Sequence, residues 1–124
     1  MKFTNQKIYQ LAELISKNIQ NLEIYIPAKA NFFLQKNINA MAAAAQEIEK
    51  SRLEIAKHYG EVDEEKQIYD IPQEKIAEAS KELEDLFSLE QEIEIKTFSI
   101  EALGNAEFTP AQMQSIMFMI SEEE

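Results

Sequence analysis

Residues 27–60 read PAKANFFLQKNINAMAAAAQEIEKSRLEIAKHYG, and this stretch decides the fold. Within it Leu34, Ile38, Met41, Ala45, Ile48, Arg52, Ile55 and Tyr59 follow one another at spacings of 4, 3, 4, 3, 4, 3 and 4. A seam with a period of about 3.5 residues keeps one side of a helix against a neighbour along its whole length. Pro27 suits the first turn of such a helix, and Gly60 after Tyr59 predicts an αL stop. The run Ala40–Ala45, interrupted only by Met41, propagates the helix and allows a second helix to approach closely. At 1.5 Å per residue the helix would be about 48 Å long, against roughly 30 Å for the width of a small domain. One end should therefore overhang its own domain or be covered by another chain. This predicts a homo-oligomer with the Leu34–Tyr59 seam at or near the subunit contact.

Upstream, Ile8, Leu11, Ile15, Ile19 and Leu22 stand 3, 4, 4 and 3 apart, which predicts a first helix over Thr4–Asn21. Thr4 is a suitable N-cap, although Lys7 in place of a glutamate leaves the capping box incomplete. Leu22, Ile24 and Ile26 alternate with Glu23 and Tyr25, the period of a strand. Downstream, Glu61–Lys66 reads as an acidic loop and Gln67–Ile71 as a short strand. Pro72 opens a third helix with Ile76, Ala79, Leu83 and Leu86 on its apolar face. Gln91–Lys96 alternates through Ile93 and Ile95, Ser99–Leu103 could form one helical turn, and Gly104-Asn105 marks a turn. Thr109, Pro110 and Gln112 predict a capping box with proline at its first position. The helix that follows, Pro110–Ile120, carries apolar residues on nearly every side and should be buried, in part by a partner. The expected fold is mainly α: one domain over 1–124, a long central helix, two or three shorter helices, and a two- or three-strand β element.

The net charge of −11 is unevenly placed. Residues 1–60 carry seven Lys and one Arg against five Glu, giving +3; residues 61–124 carry four Lys against eighteen acids, giving −14. The acidic half would repel phosphates, so direct nucleic-acid binding is not expected, whereas imitation of DNA is a remaining reading. The chain has no cysteine, which removes disulfides, thiol catalysis and thiolate metal sites. No run of 18 apolar residues is present, and Thr4 to Lys7 interrupt any apolar leader segment, so no membrane partner is expected and the cytoplasm is the expected location.

Catalytic chemistry finds little material. His58 is the single histidine, there are two glycines, and no G-x-S-x-G or phosphate-cradling glycine loop exists. Glu54 and His58, one turn apart, could supply half a metal site, but a surface histidine near a helix C-terminus explains them as well. Asp63–Glu74 begins like a calcium loop but has Ile68 where glycine is required and Pro72 at its tenth position. The expectation is therefore no catalytic residue, no metal and no cofactor. Arg52, the only arginine, occupies the apolar seam and must be met by an anion: a glutamate of the third helix, or a ligand held in its bidentate fork. Lys29, Asn31, Phe32, Lys36 and Asn37, near the start of the same helix, combine cations, amides and an aromatic ring in a manner suited to a nucleotide-sized ligand.

Ile26-Pro27-Ala28-Lys29, Phe33, Lys36-Asn37, the long helix to Tyr59-Gly60, Asp63-Glu64, the Glu92–Lys96 alternation and Thr109-Pro110-Ala111 together resemble a small bacteriophage family of unknown function. The resemblance implies a phage or prophage product acting in a bacterial host cytoplasm, and carries no catalytic residue with it. With the residues above, it points to a non-enzymatic protein that counteracts a host defence by sequestering a nucleotide-like signal or blocking a defence protein. A virion structural or assembly protein, and an acidic DNA mimic, are the alternatives.

Overall fold

The computed structural model describes residues 1–19, 22–63 and 68–121. The fold is mainly helical. Among the described residues the helices are α1 (Asn5–Asn18), α2 (Ala28–Tyr59), α3 (Ile76–Ser88) and α4 (Pro110–Ile116), with 3-10 turns leading into α3 at Gln73–Lys75, ahead of α4 at Ile100–Leu103 and out of α4 at Met117–Met119. Among the described residues, six short strands pair in three separate two-stranded ladders rather than in one small sheet. β1 (Lys2–Thr4) is antiparallel to β4 (Glu90–Glu92), β2 (Glu61–Asp63) is antiparallel to β3 (Ile68–Asp70), and β5 (Phe98–Ser99) runs parallel to β6 (Ile120–Ser121).

α1 lies at the centre, packed against α2, α3 and α4. Thr4 caps it by accepting the Lys7 amide at 3.1 Å, and Ile8, Leu11, Ile15 and Ile19 form its buried stripe, as the spacing requires. Asn5, also buried, ties this end to the α3–β4 corner: its amide donates to the Leu86 carbonyl at 2.8 Å and its carbonyl accepts from Gln91 at 2.7 Å. On α2 the buried line is Ala30, Leu34, Asn37, Met41 and Ile48, while Ile38, Ala45, Arg52, Ile55 and Tyr59 are half-buried. The seam assigned to a subunit contact is thus filled, at Leu34, Met41 and Ile48, by the chain's own core. Nor does the far end of α2 stand clear, because α3 packs along it and the Glu82 carboxylate of α3 raises the Tyr59 hydroxyl above its ordinary value.

Several local expectations change. Leu22–Ile26 is not a strand: Ile26 is buried, Ile24 half-buried and Glu23 and Tyr25 exposed, so the alternation sorts side chains without any neighbouring strand to pair with. Gly60 ends α2 in extended backbone at φ −106° and ψ 167° rather than in αL, because the chain turns at once into β2. Pairing in β2 begins at Glu61, inside what reads as a loop. The Gln91–Lys96 alternation gives a strand only over Glu90–Glu92, where β1 supplies a partner; Ile93 is buried beyond the ladder. α3 begins after a 3-10 turn, and its Ile76 is exposed while Ala79 is buried. The expected acidic connector over residues 64–66, the start of the strand at Gln67, the first helix beyond Ile19 and the tail at 122–124 lie outside the described residues.

At the C-terminal end, Thr109 accepts the Gln112 amide at 3.2 Å and its own amide donates to the Gln112 side chain at 2.9 Å, completing the capping box. α4 then stops at Ile116, and Met117–Met119 tightens into a 3-10 turn before β6. The tightening buries Ile116 and Met119 and leaves Met117 outside, so the segment is not apolar-covered on all sides. Gly104 adopts φ +63° and ψ −129°, a conformation that L side chains avoid. A Cβ placed there would stand 3.0 Å from Pro27 Cγ, so the glycine lets this turn close against the residue that starts α2.

Candidate functional site

The residues singled out on α2 fall into two places. Phe33 and Lys29 form one wall of a pocket of about 180 Å³ whose opposite wall is Thr97, Phe98 and Ser99. Asn37 brings these walls together. Fully buried, it donates its amide to the Lys96 carbonyl at 2.8 Å and accepts the Lys96 N–H at 2.8 Å, pairing with that backbone as a strand would. The chain is thereby held beside the first turns of α2, and pairing of Phe98 with Ile120 fixes it from the other side. Both hydrogen-bonding ends of Asn37 are engaged in the fold, so it builds the pocket rather than facing a ligand.

Lys29 stands at the open edge, beside the first turn of α2, whose leading N–H groups have no acceptor within the helix. Asn31, Phe32 and Lys36 are exposed on neighbouring turns, and the Phe32 ring is tilted against Phe33 at 6.1 Å without lining the pocket. Glu94 is held below the usual carboxylate range first by its 2.9 Å ion pair with Lys96 and then by the field of Lys36. The charge of Lys36 is thus partly balanced by its own chain.

Arg52 lies 16 residues beyond Lys36, about 24 Å along the helix. Its partner is not a glutamate of α3 but Glu49, one turn back on α2, gripped by both Nε at 3.0 Å and Nη2 at 2.5 Å. Glu49 also accepts the hydroxyl of Tyr9 from α1. Two donors lower the Glu49 carboxyl from 4.5 to about 2, Arg52 contributing most, while the same carboxylate raises the Tyr9 hydroxyl. Because the folded value is depressed, this contribution to stability is complete above pH 4.5 and disappears as the pH falls toward 2. The Glu49 side chain keeps 35% of its surface in water, so solvent screening limits the effect to about 1 kcal/mol. Urea midpoints of the wild type and Glu49→Gln should differ at pH 6 and converge as the pH falls through this window; a constant difference would assign the loss to packing.

A shallow groove of about 420 Å³ runs between α1 and α2 past Ile15, Ser16, Gln35 and Ile38. It carries no charged wall. Among the described residues no three potential metal ligands come together, and no helix is long and apolar enough to cross a membrane. Thr97, Phe98, Ser99 and Tyr9 had no local signal in the sequence, since the first three meet Lys29 and Phe33, and Tyr9 meets Glu49, only across segments far apart in the chain. Comparison with protein-family models, with curated proteins and with solved structures gave no match.

Proposed function

We propose that this protein is a non-enzymatic, phage-derived binding protein that counteracts a bacterial defence by capturing a nucleotide-like signal through the Lys29 pocket. The supporting observation is the meeting of one lysine, two hydroxyls and two aromatic rings at the first turn of α2. Ammonium and hydroxyl groups at a helix N-terminus suit a phosphate, and rings beside them suit a flat base. At about 180 Å³ the pocket is smaller than the roughly 300–1,000 Å³ of ordinary small-molecule sites, so it would admit one phosphate-sized end of the ligand. The remainder would lie outward across Asn31 and Phe32. Arg52, engaged with Glu49 and remote along the helix, would take no part. Blocking of a defence protein is the second reading, favoured by the 61% exposure of Phe32.

The direct test is native mass spectrometry of the protein purified gently from phage-infected bacteria, alongside Lys29→Ala and Arg52→Ala. The expected result is a bound species of a few hundred daltons that Arg52→Ala retains and Lys29→Ala loses, with at least about a tenfold drop in affinity for one charge-assisted contact. Retention by both variants would remove the pocket from the mechanism. A ligand-free mass together with a host protein recovered on the wild type would decide for the second reading.

A further inference from the structure

Two matching stripes build the groove between α1 and α2. Ala12, Ile15, Ser16 and Ile19 on one side, and Gln35, Ile38, Asn39 and Ala42 on the other, repeat the same spacings of 3, 1 and 3. Such spacings put each set of four on one face of its helix. The isoleucines form the floor together with Met41, and of these Ile15, Ile19 and Met41 are buried. Ala12 and Ala42 are too short to fill the space above that floor, so about 420 Å³ stays open between the helices. This lies within the roughly 300–1,000 Å³ of ordinary small-molecule sites, and it is more than twice the space beside Lys29.

The chemistry of the groove selects a neutral ligand. No described residue along it is charged, so an ion placed there would lose water without gaining a partner. The carboxamides of Gln35 and Asn39 stand at its rim, exposed and one helical turn apart. A carboxamide presents a donor and an acceptor side by side in one plane. It matches a ligand edge that carries the complementary pair, as the N6 amino group and N7 of adenine do. Guanine instead offers two acceptors, O6 and N7, at that edge, and these call for an arginine or lysine that the groove lacks. The flat faces of a base are apolar enough to lie against the Ile and Met side chains of the floor.

We propose that the α1–α2 groove is a second binding site, which takes an uncharged adenine base or its nucleoside with the ring on the Ile–Met floor and the N6/N7 edge on the Gln35–Asn39 amide pair. The groove shares no lining residue with the Lys29 pocket, so it holds its ligand whatever that pocket takes.

Equilibrium dialysis of the full chain against adenosine, guanosine and 7-deazaadenosine tests the site. Adenosine should bind, with an affinity little changed between low and high salt, because no charge pairs with it. Guanosine, and 7-deazaadenosine, which lacks the N7 acceptor, should bind at least about tenfold more weakly for want of the matching edge. The double variant Gln35→Leu with Asn39→Leu keeps the floor, removes both amides and should lose adenosine to the same extent. Circular dichroism checks its folding, and Gln35→Glu with Asn39→Asp, of nearly the same shape but without the amide donors, repeats the test. Lys29→Ala should bind adenosine as the wild type does. No adenosine bound up to its solubility limit, equal binding of the three nucleosides, or full adenosine binding by a folded amide variant overturns the proposal. So does loss of adenosine in Lys29→Ala, which would move the base to the other pocket. A protein that holds its infected-cell ligand through Lys29 but takes up no adenosine would refute the groove and leave the Lys29 pocket standing.

Discussion

Asn37→Ala is expected to lower the free energy of unfolding by about 3 kcal/mol, because two hydrogen bonds and a well-filled volume are lost together. Asn37 is fully buried in the middle of an otherwise apolar line, and both of its bonds go to one backbone unit, Lys96. Removing the side chain deprives that N–H and carbonyl of their partners at once. Asn37→Asp should be no better at neutral pH, since it keeps an acceptor for the Lys96 amide but sets a carboxylate against the Lys96 carbonyl. The measurements are the urea midpoint and the exchange rate of the Lys96 amide proton, which should rise in both variants. The site should respond as well, because the 97–99 wall is held against α2 through this clamp. A change below about 0.5 kcal/mol, the range of ordinary surface substitutions, would mean that the clamp is dispensable.

Met119→Ala and Met117→Ala should differ by about 3 kcal/mol although the two methionines are two positions apart. Met119 is fully buried in the main cluster, so truncation leaves a cavity lined by fixed neighbours; Met117 is 56% exposed and leaves nearly nothing behind. The 3-10 turn and its passage into β6 determine which one points inward. Thermal or urea unfolding of both variants checks this directly. Equal losses would mean that the segment continues as the α-helix that its composition alone predicts, or that Met117 is covered in solution by a partner.

Elements carried by strong local signals are those the sequence determined by itself. α2 follows from an unbroken apolar period and an alanine-rich middle, α1 from a clean stripe behind Thr4, and the α4 cap from the Thr109–Gln112 pair; each depends on residues within a turn or two of one another. Where a second segment had to be present, local pattern was not enough. The alternation at Leu22–Ile26 found no strand beside it, whereas Lys2–Thr4 became a strand because Glu90–Glu92 lies next to it. Arg52 illustrates the same division: that a charge in the seam needs a partner follows from its cost, but the partner came from Glu49 and Tyr9, not from α3. Asn37, read as a ligand contact for its chemistry, became a fastening once the fold brought Lys96 against it.

The sequence by itself thus determined the long helix, the predominance of α structure and the asymmetry of charge, because helix formation and net charge are set by near neighbours and by composition. Only the tertiary structure decided that the chain's own core closes the α2 seam at Leu34, Met41 and Ile48, which methionine is buried, and that Thr97, Phe98 and Ser99 stand opposite Lys29. These depend on contacts between segments far apart in the chain. Such contacts are selected by how well whole surfaces pack, a property that no single stretch carries.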